Sequence, residues 1–165
     1  RYVTGIVKSE TWNNPLFAFI FNTYRAIPID RVGAFQGAFQ RAKKAMDNGF
    51  FVCIAPEGTR SKNGVLGQGK AGIIQLALDA DAPVLPVVHY GGENIWKNIR
   101  RLKRTPFCFK TGKPFKIKVY GRPDREIRTE ILDEVMGQMA RLLPEKMRGA
   151  YVRQAEIDPK YLEFI

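Results

Sequence analysis

The chain has 165 residues, of which 45% are hydrophobic and 12% aromatic. This size and composition are typical of one globular domain and exclude an intrinsically disordered chain or a scaffold built on disulfides. The formal net charge of +11 indicates an anionic partner: nucleic acid, a phospholipid surface or a phosphorylated substrate. No apolar run reaches the roughly 18 residues that a membrane-spanning helix needs.

The excess positive charge lies between Glu93 and Asp124, a segment without a single acidic residue. Trp96, Phe107 and Phe109 are interleaved with its cations, a combination typical of surfaces that contact lipid headgroups or stack single-stranded nucleic acid. A simply solvated face is the default interpretation of such a charge run. Because no familiar nucleic-acid-binding motif is present, nucleic acid is the less favoured partner. The ten cations are Lys97, Arg100, Arg101, Lys103, Arg104, Lys110, Lys113, Lys116, Lys118 and Arg122.

Short apolar runs alternate with helical patterns along the chain, which indicates an α/β fold. We expect a mixed, largely buried central sheet flanked by helices. The run 50–55 is continuously apolar and is predicted to be a strand buried on both faces. The run 84–90 is predicted to be another buried strand. The last two predicted strands should form a hairpin through the turn at 112–114. The predicted strands are 2–7, 26–29, 50–55, 84–90, 107–110 and 115–120.

Helices are predicted where apolar residues recur at helical spacing between residues that commonly cap helices. In the third of them, Ile73, Ile74, Ala77 and Leu78 should share the buried face. The predicted helices are a short one capped by Asn13 or Asn14 with Pro15 in its first turn, 34–46 ended by Asn48 and Gly49, 70–79, and a long one from a cap at Asp124 to Pro144.

Cys53 and Cys108 have neither the spacing of a metal site nor that of a disulfide framework. We interpret them as buried structural thiols of a protein in a reducing compartment. No cluster of metal-ligating residues stands out, so no bound metal is expected. Since no repeat or linker interrupts the chain, a single domain over residues 1–165 is predicted.

The most informative stretch is the E-G-T-R loop (residues 56–61), which follows the apolar run at 50–55. Active-site loops commonly lie at the carboxyl ends of such strands. Gly58 lets a ligand approach the backbone, Arg60 offers a bidentate fork for phosphate, and Thr59 and Ser61 add hydroxyl donors. The alternative is a polar turn closed by an ion pair between Glu57 and Arg60.

The glycine-rich loop (residues 64–71) imitates a nucleotide-binding P-loop without its context. The glycines and Lys70 match the first seven places of that motif, but Ala71 stands where a hydroxyl should hold magnesium, and no strand precedes the loop. We interpret it as a loop leading into a helix, where Lys70 can still reach an anion with help from the helix N-terminus. A nucleotide-dependent enzyme is the disfavoured alternative.

Two further positions carry weaker signals. Arg31, together with Asp30, follows a predicted strand and offers either a second phosphate contact or, as the favoured interpretation, a surface ion pair or helix cap. His89 is the only histidine and lies in an apolar strand, so we interpret it as a structural group. No catalytic set of serine or cysteine with histidine can be assembled around it.

Three segments resemble sequence blocks of the glycerol-phosphate and lysophospholipid acyltransferase family, in particular the 1-acyl-glycerol-3-phosphate acyltransferases. They are A-I-P-I-D-R at 26–31, A-P-E-G-T-R-S at 55–61 and V-L-P-V-V at 84–88, and Ala55 replaces the usual phenylalanine. The family's first block, H-x-x-x-x-D, has no counterpart, because His89 is followed five places later by Asn94. We therefore expect the chain to be an N-terminally truncated part of the enzyme, beginning after the catalytic pair.

The resemblance implies a glycerol-3-phosphate acyltransferase-like fold and transfer of a fatty acyl group from acyl-CoA or acyl-carrier protein to a lysophospholipid hydroxyl in phospholipid biosynthesis. It implies no metal or prosthetic group, and a catalytic histidine and aspartate outside this chain. The implied setting is the cytoplasmic face of an anionic membrane, with the protein peripheral or anchored by a segment outside the chain. The alternative function is a non-catalytic basic domain that binds phospholipid or nucleic acid. Acceptor binding is assigned to Arg31, Glu57, Gly58, Thr59, Arg60, Ser61 and Lys70.

Overall fold

The structure, a computed structural model, describes residues 2–30, 35–59, 61, 63–92 and 94–165. Contacts divide the chain into two compact units: unit 1 comprises residues 1–55 and 78–82, and unit 2 comprises 56–77 and 83–165. Helices and strands are mixed in both, which confirms the predicted α/β class. The expectation of a single domain stays a prediction.

Unit 1 contains a parallel sheet of three strands, β1 (Val3–Lys8), β2 (Ile27–Ile29) and β3 (Phe51–Cys53), in the order β2-β1-β3. In its register, Ile6 of β1 lies beside Ile27 of β2, and Thr4 of β1 lies beside Val52 of β3. All three strands and both helices fall where the sequence predicts them. The helices are α1 Pro15–Thr23 and α2 Phe35–Asp47, with a 3-10 turn at Ser9–Asn13.

Strand β3 is an exposed edge strand, so the prediction that 50–55 is buried on both faces is wrong. Phe51 is 48% exposed, and Cys53 is exposed as well. In the three-stranded sheet β3 pairs with β1 alone, which leaves its other edge without a strand of that sheet. The prediction of buried thiols fails for the same reason at Cys53, and Cys108 is only partly buried, although both are free cysteines.

Unit 2 contains two antiparallel strand pairs and the long helix α5. A single bridge between Val84 and Phe115 adds a further antiparallel contact. The pairs are β4 with β5 and β6 with β7. The bounds are α3 Gly72–Ala80, which begins in unit 2, β4 Val87–Tyr90, α4 Ile95–Ile99, β5 Cys108–Thr111, β6 Phe115–Ile117, α5 Arg125–Leu142 and β7 Leu162–Phe164, with 3-10 turns at Glu145–Met147 and Gly149–Tyr151.

The predicted hairpin between β5 and β6 is wrong, because the residues of its turn bond to other segments. The N–H of Gly112 donates to the carbonyl of Pro86 (2.9 Å), and the carbonyl of Pro114 accepts from the N–H of Ile165 (3.1 Å). Instead of pairing with each other, β5 pairs with β4 and β6 pairs with β7. The described residues thus form three small sheets, and the expected single buried central sheet is not confirmed.

The core of unit 2 forms around α5 and the strand β6. Its largest fully buried side chains are Phe115, Ile74, Ile131, Val135 and Met136. Helix α3 also buries Ile73 and Leu76, whereas Ala77 and Leu78 of its predicted face are only partly buried. None of the helices that the structure describes is long and apolar enough to cross a bilayer.

The segment after α5 is tied back onto that helix by polar bonds. Arg141 donates from Nε to the carbonyl of Ala155 (2.7 Å) and from Nη2 to the carbonyl of Ile157 (2.7 Å). The carboxylate of Glu134 accepts from the N–H groups of Lys160 (2.8 Å) and Tyr161 (2.9 Å). These bonds hold residues 155–161 against α5.

Helix caps are where the sequence places them. The side-chain oxygen of Asn14 accepts from the N–H of Leu16 (3.0 Å) and of Phe17 (3.3 Å), so Asn14 rather than Asn13 is the cap of α1. At α5 the carboxylate of Asp124 accepts from the N–H of Ile127 (2.8 Å).

Replacing Asp124 with alanine should lower the free energy of unfolding by about 1 kcal/mol, because the first turn of α5 loses its acceptor and a favourable charge at the helix N-terminus. Chemical denaturation of the full-length protein measures this. Asp124→Asn is the matched control, since asparagine caps nearly as well. Equal losses in both variants would contradict a capping role.

Candidate functional site

The E-G-T-R loop and the glycine-rich loop of unit 2 are braced against each other. The N–H of Lys70 donates to the carbonyl of Pro56 (2.8 Å). The N–H of Gly67 donates to Oε2 of the Glu57 carboxylate (3.0 Å). The two loops, separate in sequence, therefore form one site, and Glu57 holds them together.

The side chain of Lys70 runs over the backbone of Gly58. A Cβ built on Gly58 would lie 3.2 Å from Cδ, 3.3 Å from Cε and 3.4 Å from Nζ of this lysine. Gly58 has φ +65°, a conformation that favours glycine, and both residues are exposed. An exposed ammonium group beside a glycine turn is an arrangement that suits a solvent-accessible anion such as phosphate.

Two glycines of the glycine-rich loop, Gly67 and Gly69, serve packing. A Cβ at Gly67 would lie 2.6 Å from Oε2 of Glu57, and one at Gly69 would lie 2.8 Å from Cγ of Met136 and 3.0 Å from Cδ1 of Leu132. No side chain fits at either position without displacing its neighbours. The glycines therefore let the loop lie against Glu57 and α5.

Four backbone amides of the glycine-rich loop are already engaged. Those of Gly67 and Lys70 donate as described above, that of Leu66 donates to the carbonyl of Met147 (2.8 Å), and that of Gly69 donates to the hydroxyl of Tyr151 (3.0 Å). A P-loop binds phosphate with free backbone N–H groups. The geometry thus agrees with the sequence argument against a nucleotide site here.

Of the remaining residues predicted to bind the acceptor, the structure describes only Thr59 and Ser61. Thr59 is exposed in the E-G-T-R loop, whereas the hydroxyl of Ser61 donates to the carbonyl of Val65 (2.8 Å) and so supports the loop itself. Arg31 and Arg60 lie outside the described residues. The structure therefore brings together Glu57, Gly58 and Lys70.

Tyr151 belongs to the site's support, a role that the sequence does not reveal. Its side chain is 6% exposed, and its hydroxyl joins the segment after α5 to the glycine-rich loop. From the sequence alone a tyrosine beyond the end of a helix resembles any other core residue, because no local pattern shows which distant N–H its hydroxyl will meet.

His89 lies in strand β4, but its side chain is exposed, so the prediction of a buried strand over 84–90 is wrong at this position. Its ring stacks on Phe107 with centroids 5.4 Å apart and an interplanar angle of 20°, and across the β4–β5 pair it faces Phe109. Across the parts of the chain that the structure describes, no three His, Cys, Asp or Glu side chains cluster in a way that could hold a metal ion.

Comparison with known proteins bears on this site. The sequence profile of the Acyltransferase family matches residues 1–90, which include all three blocks that suggested the family. Three proteins named 1-acyl-sn-glycerol-3-phosphate acyltransferase are similar to the chain. That of Cocos nucifera is 33% identical over 115 residues, covering 67% of this chain and 37% of the relative.

The other two are of similar extent. The relative from Pseudomonas aeruginosa is 34% identical over 94 residues, which cover 55% of this chain and 37% of the relative. The relative from Limnanthes douglasii is 29% identical over 110 residues, which cover 64% of this chain and 39% of the relative. In each case the match spans less than two fifths of the relative's length. No solved structure matches significantly. The profile match covers more than half of the sequence and confirms the resemblance: the chain belongs to the Acyltransferase family.

Proposed function

We propose that the protein to which this chain belongs transfers a fatty acyl group from acyl-CoA or acyl-carrier protein to a hydroxyl of a lysophospholipid of the 1-acylglycerol-3-phosphate kind. Family membership and the names of the relatives support the reaction class. The observation that carries the proposal is the Lys70 ammonium beside the turn at Gly58, in a loop braced by Glu57. This arrangement suits a phosphate-bearing acceptor.

In the proposed reaction the acceptor hydroxyl attacks the thioester carbonyl, a new ester bond forms and the thiol of the donor leaves. A general base must take the hydroxyl proton. The family's histidine and aspartate block is not matched within these 165 residues, so we assign that step to residues outside the chain. This chain supplies the acceptor-binding part, and holding the phosphate fixes the hydroxyl relative to the thioester.

Within this site each residue has a distinct role. Lys70 binds the acceptor phosphate, and Gly58 lets the lysine side chain lie against the backbone. Arg60 and Arg31, which lie outside the described residues, are proposed from the sequence alone as further phosphate ligands. Glu57 is a positioning residue, because its carboxylate is bonded to Gly67 and fixes the loop that carries Lys70. No metal or prosthetic group takes part in this scheme.

We place the protein at the cytoplasmic face of a membrane, peripheral or anchored by a segment outside this chain, because the proposed acceptor is a membrane lipid. The charge supports this location. The acid-free segment exposes nearly all of its cations, and Lys116 alone among them is partly buried. One of the exposed cations, Lys118, forms an ion pair with Glu163 (3.0 Å).

Replacing Lys70 with methionine in the full-length protein should raise the KM for 1-acylglycerol-3-phosphate about tenfold. Methionine keeps an apolar chain over Gly58 but removes the ammonium, and a hydrogen bond to a charged group contributes about 1.5 kcal/mol or more. The KM for acyl-CoA should not change. Steady-state acyl transfer with each substrate varied in turn measures both constants.

The matched control is Lys146→Met, which removes an exposed lysine elsewhere in unit 2. It should leave both constants unchanged. An unaltered acceptor KM in Lys70→Met would exclude the lysine from phosphate binding. Retention on an anionic polymer without any acyl transfer would favour a non-catalytic binding domain.

A further inference from the structure

The connection between β4 and β5 is a loop that contains α4 and whose two ends lie close together. We call residues 94–107 the α4 loop. At its base the backbone of Gly91 lies so close to the carbonyl of Pro106 that no side chain would fit there. Inside it, the amide of Asn98 donates from Nδ2 to the hydroxyl of Thr105 (3.1 Å). The loop therefore has a defined shape of its own.

Leu102 occupies an unusual place at the end of α4. The N–H of Lys103 donates to the carbonyl of Asn98 (2.9 Å), and the N–H of Leu102 donates to the carbonyl of Ile99 (3.0 Å). This pair of bonds is a Schellman motif, whose left-handed position is most often glycine. Here it is Leu102, with φ +50° and a side chain that is 98% exposed.

A leucine at that position gains nothing within the described fold. The left-handed conformation is unfavourable for a residue with a Cβ, and full exposure means that no burial in the protein offsets it. Strained residues of this kind commonly mark sites of interaction. The Leu102 side chain is thus available to an apolar environment outside the molecule.

Leu102 is accompanied by other exposed apolar side chains. Trp96 is 74% exposed and Ile99 is 52% exposed. Being three residues apart on a helical turn, they lie on the same side of α4. Ile95, which begins the helix, is 40% exposed. Together with Leu102 they form an exposed apolar set on the α4 loop, which we call the apolar tip.

Positive charge surrounds this tip. The α4 loop contains no acidic residue, and all of its cations are exposed. Tryptophan and aliphatic residues beside arginine and lysine match the boundary between anionic headgroups and acyl chains. Single-stranded nucleic acid would be bound by stacking on aromatic rings, which gives no role to an exposed leucine or isoleucine. The cations are Lys97, Arg100, Arg101, Lys103 and Arg104.

We propose that the α4 loop is an interfacial anchor that inserts Trp96, Ile99 and Leu102 into the headgroup region of an anionic bilayer. The surrounding cations bind the lipid phosphates. The apolar tip, the strained leucine and the charge carry this inference; the proposed function bears on it only by making a membrane the place where the acceptor is found.

Leu102→Gly in the full-length protein tests it. Glycine is the preferred residue in the left-handed position, so the thermal midpoint should stay the same or rise. Binding to vesicles of phosphatidylcholine mixed with phosphatidylglycerol should nevertheless weaken about tenfold, because a leucine side chain no longer leaves water. Leu102→Asn, which also tolerates this conformation, should weaken binding similarly. Co-sedimentation measures the affinity.

Ile157→Ala is the matched control, since Ile157 is 60% exposed between two acidic residues, and it should not affect binding. Raising the salt concentration should weaken binding of the wild type to the mixed vesicles. Unchanged vesicle affinity in both Leu102 variants would overturn the proposal, as would binding to a single-stranded oligonucleotide in preference to vesicles.

Failure of this proposal is distinguishable from failure of the proposed function. Acyl transfer to a short-chain acceptor dissolved as a monomer should be the same in Leu102→Gly and in the wild type, whereas transfer to acceptor in vesicles should fall. Transfer that falls equally with both acceptors would overturn the anchor. Absence of transfer in the wild type would instead contradict the proposed function.

Discussion

Replacing Arg60 with alanine in the full-length protein should raise the KM for 1-acylglycerol-3-phosphate about a hundredfold. A guanidinium group binds phosphate through two parallel charge-assisted hydrogen bonds, each contributing about 1.5 to 3 kcal/mol. The change should appear in kcat/KM for the acceptor and leave the KM for acyl-CoA unaltered. Steady-state kinetics with each substrate varied separately measures it.

Arg60→Lys is the companion variant. Lysine keeps the charge but loses the planar fork, so its acceptor KM should lie between those of the wild type and Arg60→Ala. If Arg60→Ala keeps both kcat and the acceptor KM of the wild type, the assignment of the E-G-T-R loop to acceptor binding is wrong.

Replacing Phe115 with alanine should lower the free energy of unfolding by about 3 to 5 kcal/mol, enough to unfold much of a marginally stable protein. Phe115 has no exposed surface and packs edge-on against Phe164 with ring centroids 6.0 Å apart. Its backbone also bonds to Val84 in both directions, and removing the ring leaves a cavity in the core beside Phe164 of β7. Denaturant titration measures the loss.

Phe109→Ala removes the same side chain from a strand position that is 62% exposed. It should cost less than about 1 kcal/mol, because little apolar surface returns to water. Equal losses at the two positions would contradict the placement of Phe115 in the core.

The secondary structure of this chain is largely predictable because its helix signals are local. Asn14 and Asp124 are followed within three residues by the N–H groups that they cap, so the sequence around each suffices. Strand pairing is different. Alternating residues identify β5 and β6 as strands but do not specify their partners.

β7 illustrates why the sheets could not be predicted. It is a three-residue strand, Leu162–Phe164, with no turn signal that relates it to Phe115, which lies far away in sequence. The prediction of burial failed for a similar reason at Phe51. An apolar run indicates a strand, but whether the strand lies at the edge of its sheet depends on distant segments.

The candidate site was predictable in its residue types but not in its assembly. A carboxylate, a glycine and hydroxyls in one loop could be read directly from 56–61. That Glu57 would bind the N–H of Gly67, and Tyr151 that of Gly69, depends on contacts between distant segments. Packing against neighbouring segments requires glycine at positions 67 and 69, and these contacts engage the N–H groups of both residues. The loop therefore resembles a P-loop in its sequence but not in its structure.

The most direct test is an acyl-transfer assay of the purified full-length protein with acyl-CoA or acyl-carrier protein as donor. The acceptors are 1-acylglycerol-3-phosphate and 1-acylglycerol, which differ only in the phosphate. Transfer to the phosphate-bearing acceptor should exceed transfer to the other in kcat/KM by at least about tenfold, because only the first engages the Lys70 ammonium. Equal rates with both acceptors, or no transfer from either donor, would contradict a site built to hold the phosphate of a lysophospholipid.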